Sequence, residues 1–403
     1  MSFGGNFLRV GVVLVGGVLA LWISIGVTLN FTIAERYPDL VHEWWPDGVT
    51  PTVVSAGRVL SSPSPSAASV VQTRASLRAA ALREPVSSYA LGMLGAVADF
   101  QEDEAQAQAF FQSSEAMSRR NLLTEMWLIE DAVSHGDVSE ALSHYNRAML
   151  VSTKSRKTLL PILVSATSEP DVLANLLPML AQKPLWWKAY VNEMGASGKD
   201  PAVMSAAVLA LKLDLSDPEQ KSLIERVLNR MIALNDEKGA LQTANDLEGR
   251  TEAYRTIQDG EFDQAPGLLP FAWWLSQDSN IQAYRGKVPG GGEGLWLETH
   301  DDTGGGIARQ LIGLEPGHYL FSGIFGDQTS DAVNHLAIEL SCRQGGRLRN
   351  FNLPSTKEIR QSFRFEFDVP LSSCHTQWVK FRSVLGGDNK VWIDKINIKK
   401  ISQ

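Results

Sequence analysis

Three hydrophobic patterns follow one another along the chain. Residues 10–34 carry no charged side chain between Arg9 and Glu35. That run exceeds the roughly 20 apolar residues that take a helix across a bilayer, so it predicts a transmembrane helix. Arg9 flanks one side, and Glu35, Asp39, Glu43 and Asp47 follow the other. The positive-inside rule then places residues 1–9 in the cytoplasm and the bulk of the chain outside it. A cleaved signal peptide is the alternative, although Thr32-Ile33-Ala34 makes a poor cleavage site. Gly16, Ala20, Ser24 and Thr28 share one helix face. Small residues at that spacing let helices approach closely in a bilayer, which would give a homo-oligomer; the alternative is that small residues are simply common in such helices.

Pro63 and Pro65 lie among serines in residues 48–71, which reads as an extended spacer within a juxtamembrane and linker segment, 35–72. From residue 73 to 258 there are 27 alanines and 7 glycines; from 271 to 403 there are 5 and 16. Pro266, Gly267 and Pro270 stand where this composition changes, and they break any helix. A helical domain over 73–265 and a second domain over 268–403 are expected. In the second domain the period becomes two. QSFRFEFDVP (361–370) sets Phe363, Phe365, Phe367 and Val369 on one side, and Arg364, Glu366 and Asp368 on the other. Further strands are expected at 271–275, 294–299, 308–313, 319–325, 336–342, 377–384 and 390–399. Glycine runs at 290–292 and 304–306 mark loops. Short strands with such turns predict an all-β sandwich.

Family resemblances refine both domains. In the helical part, Ala141, Tyr145 and Ala148 share a face, and Ala107, Phe111 and Ser114 stand 34 residues earlier, with Leu94-Gly95 upstream. This resembles the tetratricopeptide repeat, a 34-residue helix–turn–helix unit. The resemblance implies that Leu94, Gly95, Ala107, Phe111, Ala141, Tyr145 and Ala148 pack the repeats into a solenoid. Its groove either binds a protein partner or serves only as a spacer. LEPGHYLFSG (314–323) and VWIDKINIKKI (391–401) resemble the turn-and-strand and closing-strand signatures of galactose-binding-like jelly rolls, a group in which carbohydrate-binding modules are prominent. The layout resembles bacterial inner-membrane envelope proteins with a periplasmic bulk, several of them tied to export or assembly of surface polysaccharide.

Charge and candidate chemistry narrow the function. The 37 basic and 45 acidic residues leave a net charge of −8, with no broad basic field, so nucleic acid is not an expected partner. The acidity lies in residues 1–270; residues 271–403 carry 15 basic and 14 acidic residues. Sugar recognition needs an aromatic face flanked by polar side chains. If Val379 and Phe381 face inward, Trp378, Lys380 and Arg382 share the outer face of one strand. Trp296 and Trp392 lie on other strands and are further ligand candidates. Of Trp273 and Trp274, one must point inward. Cys342 and Cys374 are the only cysteines; outside the cytoplasm they are expected to form a disulfide, the alternative being two buried thiols. His300-Asp301-Asp302 offers carboxylates to calcium or is a solvated loop. Seven histidines are scattered without metal-ligand spacing, and GxSxG, HExxH and Walker A patterns are absent. No cofactor, metal or catalytic residue is assigned.

The expected protein is therefore a membrane-anchored, non-catalytic envelope adaptor. Its helical solenoid binds a protein and its jelly roll binds a glycan or a protein. A purely structural scaffold of a membrane complex, and a glycan-active enzyme, are the other readings.

Overall fold

The computed structural model describes residues 4–45, 48–249, 256–300, 304–328, 335–354, 360–372, 374–383 and 388–401. Two compact units divide the chain, Met1–Leu159 and Leu160–Gln403.

The first unit is all helical. It contains α1 (Gly4–Thr32), α2 (Pro38–Trp44), α3 (Val49–Leu60), α4 (Ala67–Arg83), α5 (Ser88–Phe100), α6 (Glu104–Met117), α7 (Leu122–Ser134) and α8 (Val138–Val151). The expected transmembrane helix is corrected here. Among the described residues, no helix is long and apolar enough to cross a membrane. The end of α1 is covered by the chain itself. Trp45 packs on Trp22 with ring centroids 4.7 Å apart, a Cβ on Gly26 would overlap the Trp45 ring, and polar Asn30 is buried. Further up α1, Val15, Val18, Leu19 and Leu21 are exposed. The basis for helix association inside a bilayer goes with the expected span.

The spacer expected at 48–71 is also replaced, by α3 and the start of α4. Ser66 caps α4 by accepting from the Ser69 N–H, so a serine that looked like linker is a helix start. Ala56 of α3 meets Val70 and Leu77 of α4 and Leu94 and Val97 of α5 in one apolar cluster. Burying that stripe offsets the weak helix propensity of the segment.

Two helical hairpins follow, α5/α6 and α7/α8. Leu122 follows Ser88 by 34 residues, and Val138 follows Glu104 by the same 34. Asp103 and Asp137 cap α6 and α8 in matching fashion, each accepting from the N–H three residues on. Leu94, Ala107, Phe111, Ala141 and Ala148 are buried, and Tyr145 is half-buried. Gly95 lets the two helices approach: a Cβ there would lie 2.8 Å from Phe111 Cδ2. A polar seam joins the hairpins, where Asn121 Nδ2 donates to Ser88 O at 2.9 Å and the Ser114 and Thr124 hydroxyls lie 2.7 Å apart.

From α9 (Arg156–Ala166) the chain passes to the second unit. Its helices are α10 (Pro170–Ala181), α11 (Trp187–Ser197), α12 (Pro201–Ala210), α13 (Pro218–Ala233) and α14 (Glu237–Glu248). Pro170, Pro201 and Pro218 open their helices, where a missing N–H costs nothing. Trp186 and Trp187 are both buried as core.

The sandwich consists of β1 (Trp274–Leu275), β2 (Ile281–Lys287), β3 (Glu293–Thr299), β4 (Gly305–Ile312), β5 (Gly317–Asp327), β6 (Leu336–Cys342), β7 (Arg347–Asn352), β8 (Gln361–Val369), β9 (Gln377–Ser383) and β10 (Asn389–Lys400). Two five-stranded antiparallel sheets form, in orders β1-β4-β9-β6-β7 and β2-β3-β10-β5-β8. Phe321, Phe325, Phe363, Phe381, Ile338 and Val379 fill the space between them. Two strands escape the sequence pattern, β2 (IQAYRGK) and β7 (RLRNFN). Both lie at sheet edges, where charges and partial burial blur the alternation. The helices hold the sandwich directly. Arg343, beyond β6, donates from Nε to Glu237 of α14 at 2.5 Å, and Leu268 N–H donates to Glu248 at 2.8 Å.

Candidate ligand-binding face

The site candidate is the outer face of the β1-β4-β9-β6-β7 sheet. On β9 the alternation turns Val379 and Phe381 into the core and leaves Trp378, Lys380 and Arg382 outside. Arg309 of β4 stands opposite Lys380, and Trp274 of β1 stands opposite Arg309. The result is a row across three strands. The Arg309 guanidinium carbon lies 4.8 Å from the Trp274 ring centroid and 5.4 Å from that of Trp378. Both contacts are cation–π in kind, and they hold a flexible arginine and two half-buried indoles in one arrangement. Trp273, the neighbour of Trp274, points the other way and stacks on Phe381 at 5.4 Å.

β6 supplies the acid. Glu339 accepts from Lys380 Nζ at 3.2 Å and from Arg382 Nη1 at 2.8 Å. Burial alone would raise its carboxyl; the two cations outweigh that, and its pKa lies below the ordinary carboxylate value. A depressed carboxylate stabilises the fold above its unfolded pKa, and the contribution is lost as pH falls through the folded pKa. The thermal midpoint should therefore drop on the acid side of the ordinary glutamate range, and Glu339→Gln should drop less over the same pH range. Parallel midpoint-against-pH curves for the two proteins would contradict this. With Glu339 engaged, Arg309 keeps the face basic. Asn350 of β7 stands opposite Glu339 and adds an amide.

The other two ligand candidates are corrected. Trp296 and Trp392 pair across β3 and β10 on the second sheet, and they are buried to 7% and 0% exposure. Val288 closes over them, so neither offers a face. Tyr284, stacked on Trp296 at 6.3 Å, and Lys390, whose Nζ lies 5.4 Å from the Trp296 ring centroid, reach solvent there. The Tyr284 hydroxyl donates to Glu298 at 2.6 Å, and burial with that bond pushes its pKa up to about 12. Cys342 and Cys374 are bridged. Asp301 and Asp302 lie outside the described residues.

Sequence reasoning missed Arg309 and Glu339. Arg309 lies on an expected strand, and its side could have been read from the alternation of IARQLI. Nothing along the chain says that Trp274 would stand beside it. Glu339 is an isolated acid in the apolar run LAIELSC, a signal of pairing that the pattern carries but does not resolve.

No protein family matches the chain, and no curated protein does. Among solved structures it is similar to a CBM4 structure, at 17% identity over 36% of this chain and 99% of that one, with TM-score 0.29. It is also similar to the CBM22-1 xylan-binding domain of Paenibacillus barcinonensis Xyn10C, at 9% identity over 37% and 96%, TM-score 0.29. A family 16 carbohydrate-binding module gives 12% identity over 36% and 99%, TM-score 0.28.

Proposed function

We propose that this chain is a non-catalytic glycan-binding protein that holds an acidic polysaccharide on the outer face of the β1-β4-β9-β6-β7 sheet. The observation that carries the reading is the Trp274–Arg309–Trp378 row. Indole faces pack on the apolar faces of pyranose rings, and guanidinium and ammonium groups pair with carboxylates. A sheet face presents these groups in a line, which suits an extended chain of sugars. The sequence resemblance of residues 314–323 and 391–401 to galactose-binding-like jelly rolls supports the same reading.

The helical hairpins, at their tetratricopeptide-like spacing, form the partner-binding half of an adaptor. Leu82, Val86 and Tyr89, around the α4–α5 turn, are 82%, 78% and 57% exposed. Exposed apolar groups of that size favour a protein contact. The Cys342–Cys374 bridge suits an oxidising compartment outside the cytoplasm, and surface polysaccharide is the natural ligand there.

Tryptophan fluorescence tests the reading. The whole chain, produced oxidised, is titrated with uronic-acid-bearing and neutral polysaccharides. Saturable quenching is expected, weakened by added salt and lost in both Trp274→Ala and Trp378→Ala while circular dichroism stays unchanged. A folded protein that responds to no glycan would sink the proposal.

A further inference from the structure

We propose that Glu115, Glu125 and His144 form a site for one divalent transition-metal ion of the zinc class, linking α6 to the α7/α8 hairpin. The three donors come from three helices, so no motif spacing reveals them. Packing brings one donor atom of each within 4.8 Å of the others. Ligands about 2.0–2.2 Å from a tetrahedral ion stand about 3.3–3.6 Å apart, so side-chain shifts of about 1 Å complete the set, with His144 Nδ1 and Glu125 Oε2, now 2.7 Å apart, moving apart to admit the ion.

The independent observation is Glu125. Its side chain is fully buried, Oε2 lies 2.7 Å from His144 Nδ1, and Oε1 has no partner. A buried carboxylate oxygen without a donor is costly, and a bound cation would satisfy it. Beside it opens a 320 Å³ cavity lined by Glu115, Asp137, Glu140, His144 and Arg147. Three carboxylates line this pocket together with Ser139 and Ser143, and Arg147 is its one guanidinium. Arg147 now stands in for the ion: it pairs with Glu115 and lies 4.0 Å from Glu125 Oε2. Its side chain is 24% exposed, its Nη1 lies 3.4 Å from His144 Nδ1, and an ion in the site would have to displace it. Glu140, 61% exposed and 3.8 Å from His144 Nε2, can receive it. One imidazole nitrogen with two carboxylates suits zinc and its neighbours; calcium and magnesium prefer all-oxygen sets.

The test uses the whole chain, stripped with a chelator and titrated with Zn²⁺ by calorimetry. One ion per chain is expected. The thermal midpoint should rise by about 5–10 °C at ~100-fold excess over Kd, while Mg²⁺ has no effect. Co²⁺ should give visible d–d bands. Glu115→Gln and His144→Gln should abolish the stoichiometric ion. Arg147→Gln separates the site from a purely structural ion network. Removing the resident positive charge should tighten Zn²⁺ by about tenfold or more; in a structural network it would only lower the midpoint. Should His144→Gln fail to fold, the Glu115 and Arg147 variants still decide. Absence of a stoichiometric ion overturns the proposal, as does Zn²⁺ binding that survives Glu115→Gln or is not tightened by Arg147→Gln.

Discussion

Trp392→Ala should destabilise the sandwich by about 3–5 kcal/mol, the range for deleting a fully buried tryptophan. Trp392 is 0% exposed and sits on β10, which pairs with both β3 and β5. Its indole packs with Trp296 and Val288, with Ile324 alongside. Removing it leaves a cavity in the middle of a sheet that cannot collapse without moving three strands. Urea unfolding of the oxidised chain measures the loss, and a midpoint within error of wild type would refute it. The comparison with Trp378→Ala gives the result its meaning. Trp378 is half-buried on a surface row, so its removal should cost about 1 kcal/mol and act on binding instead. The reverse pattern, a stable Trp392→Ala that no longer binds glycan, would mean that the second sheet carries the site.

Loss of the Cys342–Cys374 bridge should cost nearly as much. The cysteines are 32 residues apart, and the chain-entropy relation assigns roughly 3–4 kcal/mol to a loop of that size. The double variant Cys342→Ala/Cys374→Ala should lose that amount in urea unfolding against the oxidised protein. The bridge joins the end of β6 to the segment that enters β9. Buried Gln377 reinforces that entry, donating to Cys374 O at 2.7 Å and accepting from Leu314 N–H at 2.8 Å. Trp378 is the next residue, so glycan binding should weaken in the same variant. A loss below about 1 kcal/mol would show that the loop is already constrained without the bond, for instance by Gln377.

Much of the sandwich was legible because a half-buried strand has to alternate. QSFRFEFDVP became β8 with every expected phenylalanine inside. The same rule set Trp378, Lys380 and Arg382 on one outer face, since Val379 and Phe381 had to face the core. The rule fails where burial is one-sided or partial. Edge strands β2 and β7 look irregular in sequence because half their neighbours are water. Serines at 61–69 looked like linker because composition does not distinguish a spacer from the cap of a helix whose buried stripe lies further on.

The apolar run near the amino terminus failed for a different reason. Hydrophobicity measures how much a segment gains by leaving water and is silent about what receives it. The structure lays the Trp45 ring over Gly26 of α1 and buries Asn30 one turn further on. Trp296 and Trp392 teach the same lesson in reverse: position on an outer face did not expose them, because a neighbouring loop residue, Val288, lies over them.

By itself, the sequence determined the division into helical and β architecture, the 34-residue spacing of two hairpins, and the side of β9 on which Trp378 lies. Each is a local or periodic property, written in the order of residues. Only the tertiary structure decided that Trp274 and Trp378 flank Arg309, that Glu339 holds Lys380 and Arg382, and that Glu115, Glu125 and His144 meet. Those groups are brought together by strand order and helix packing, which depend on how distant apolar faces find one another.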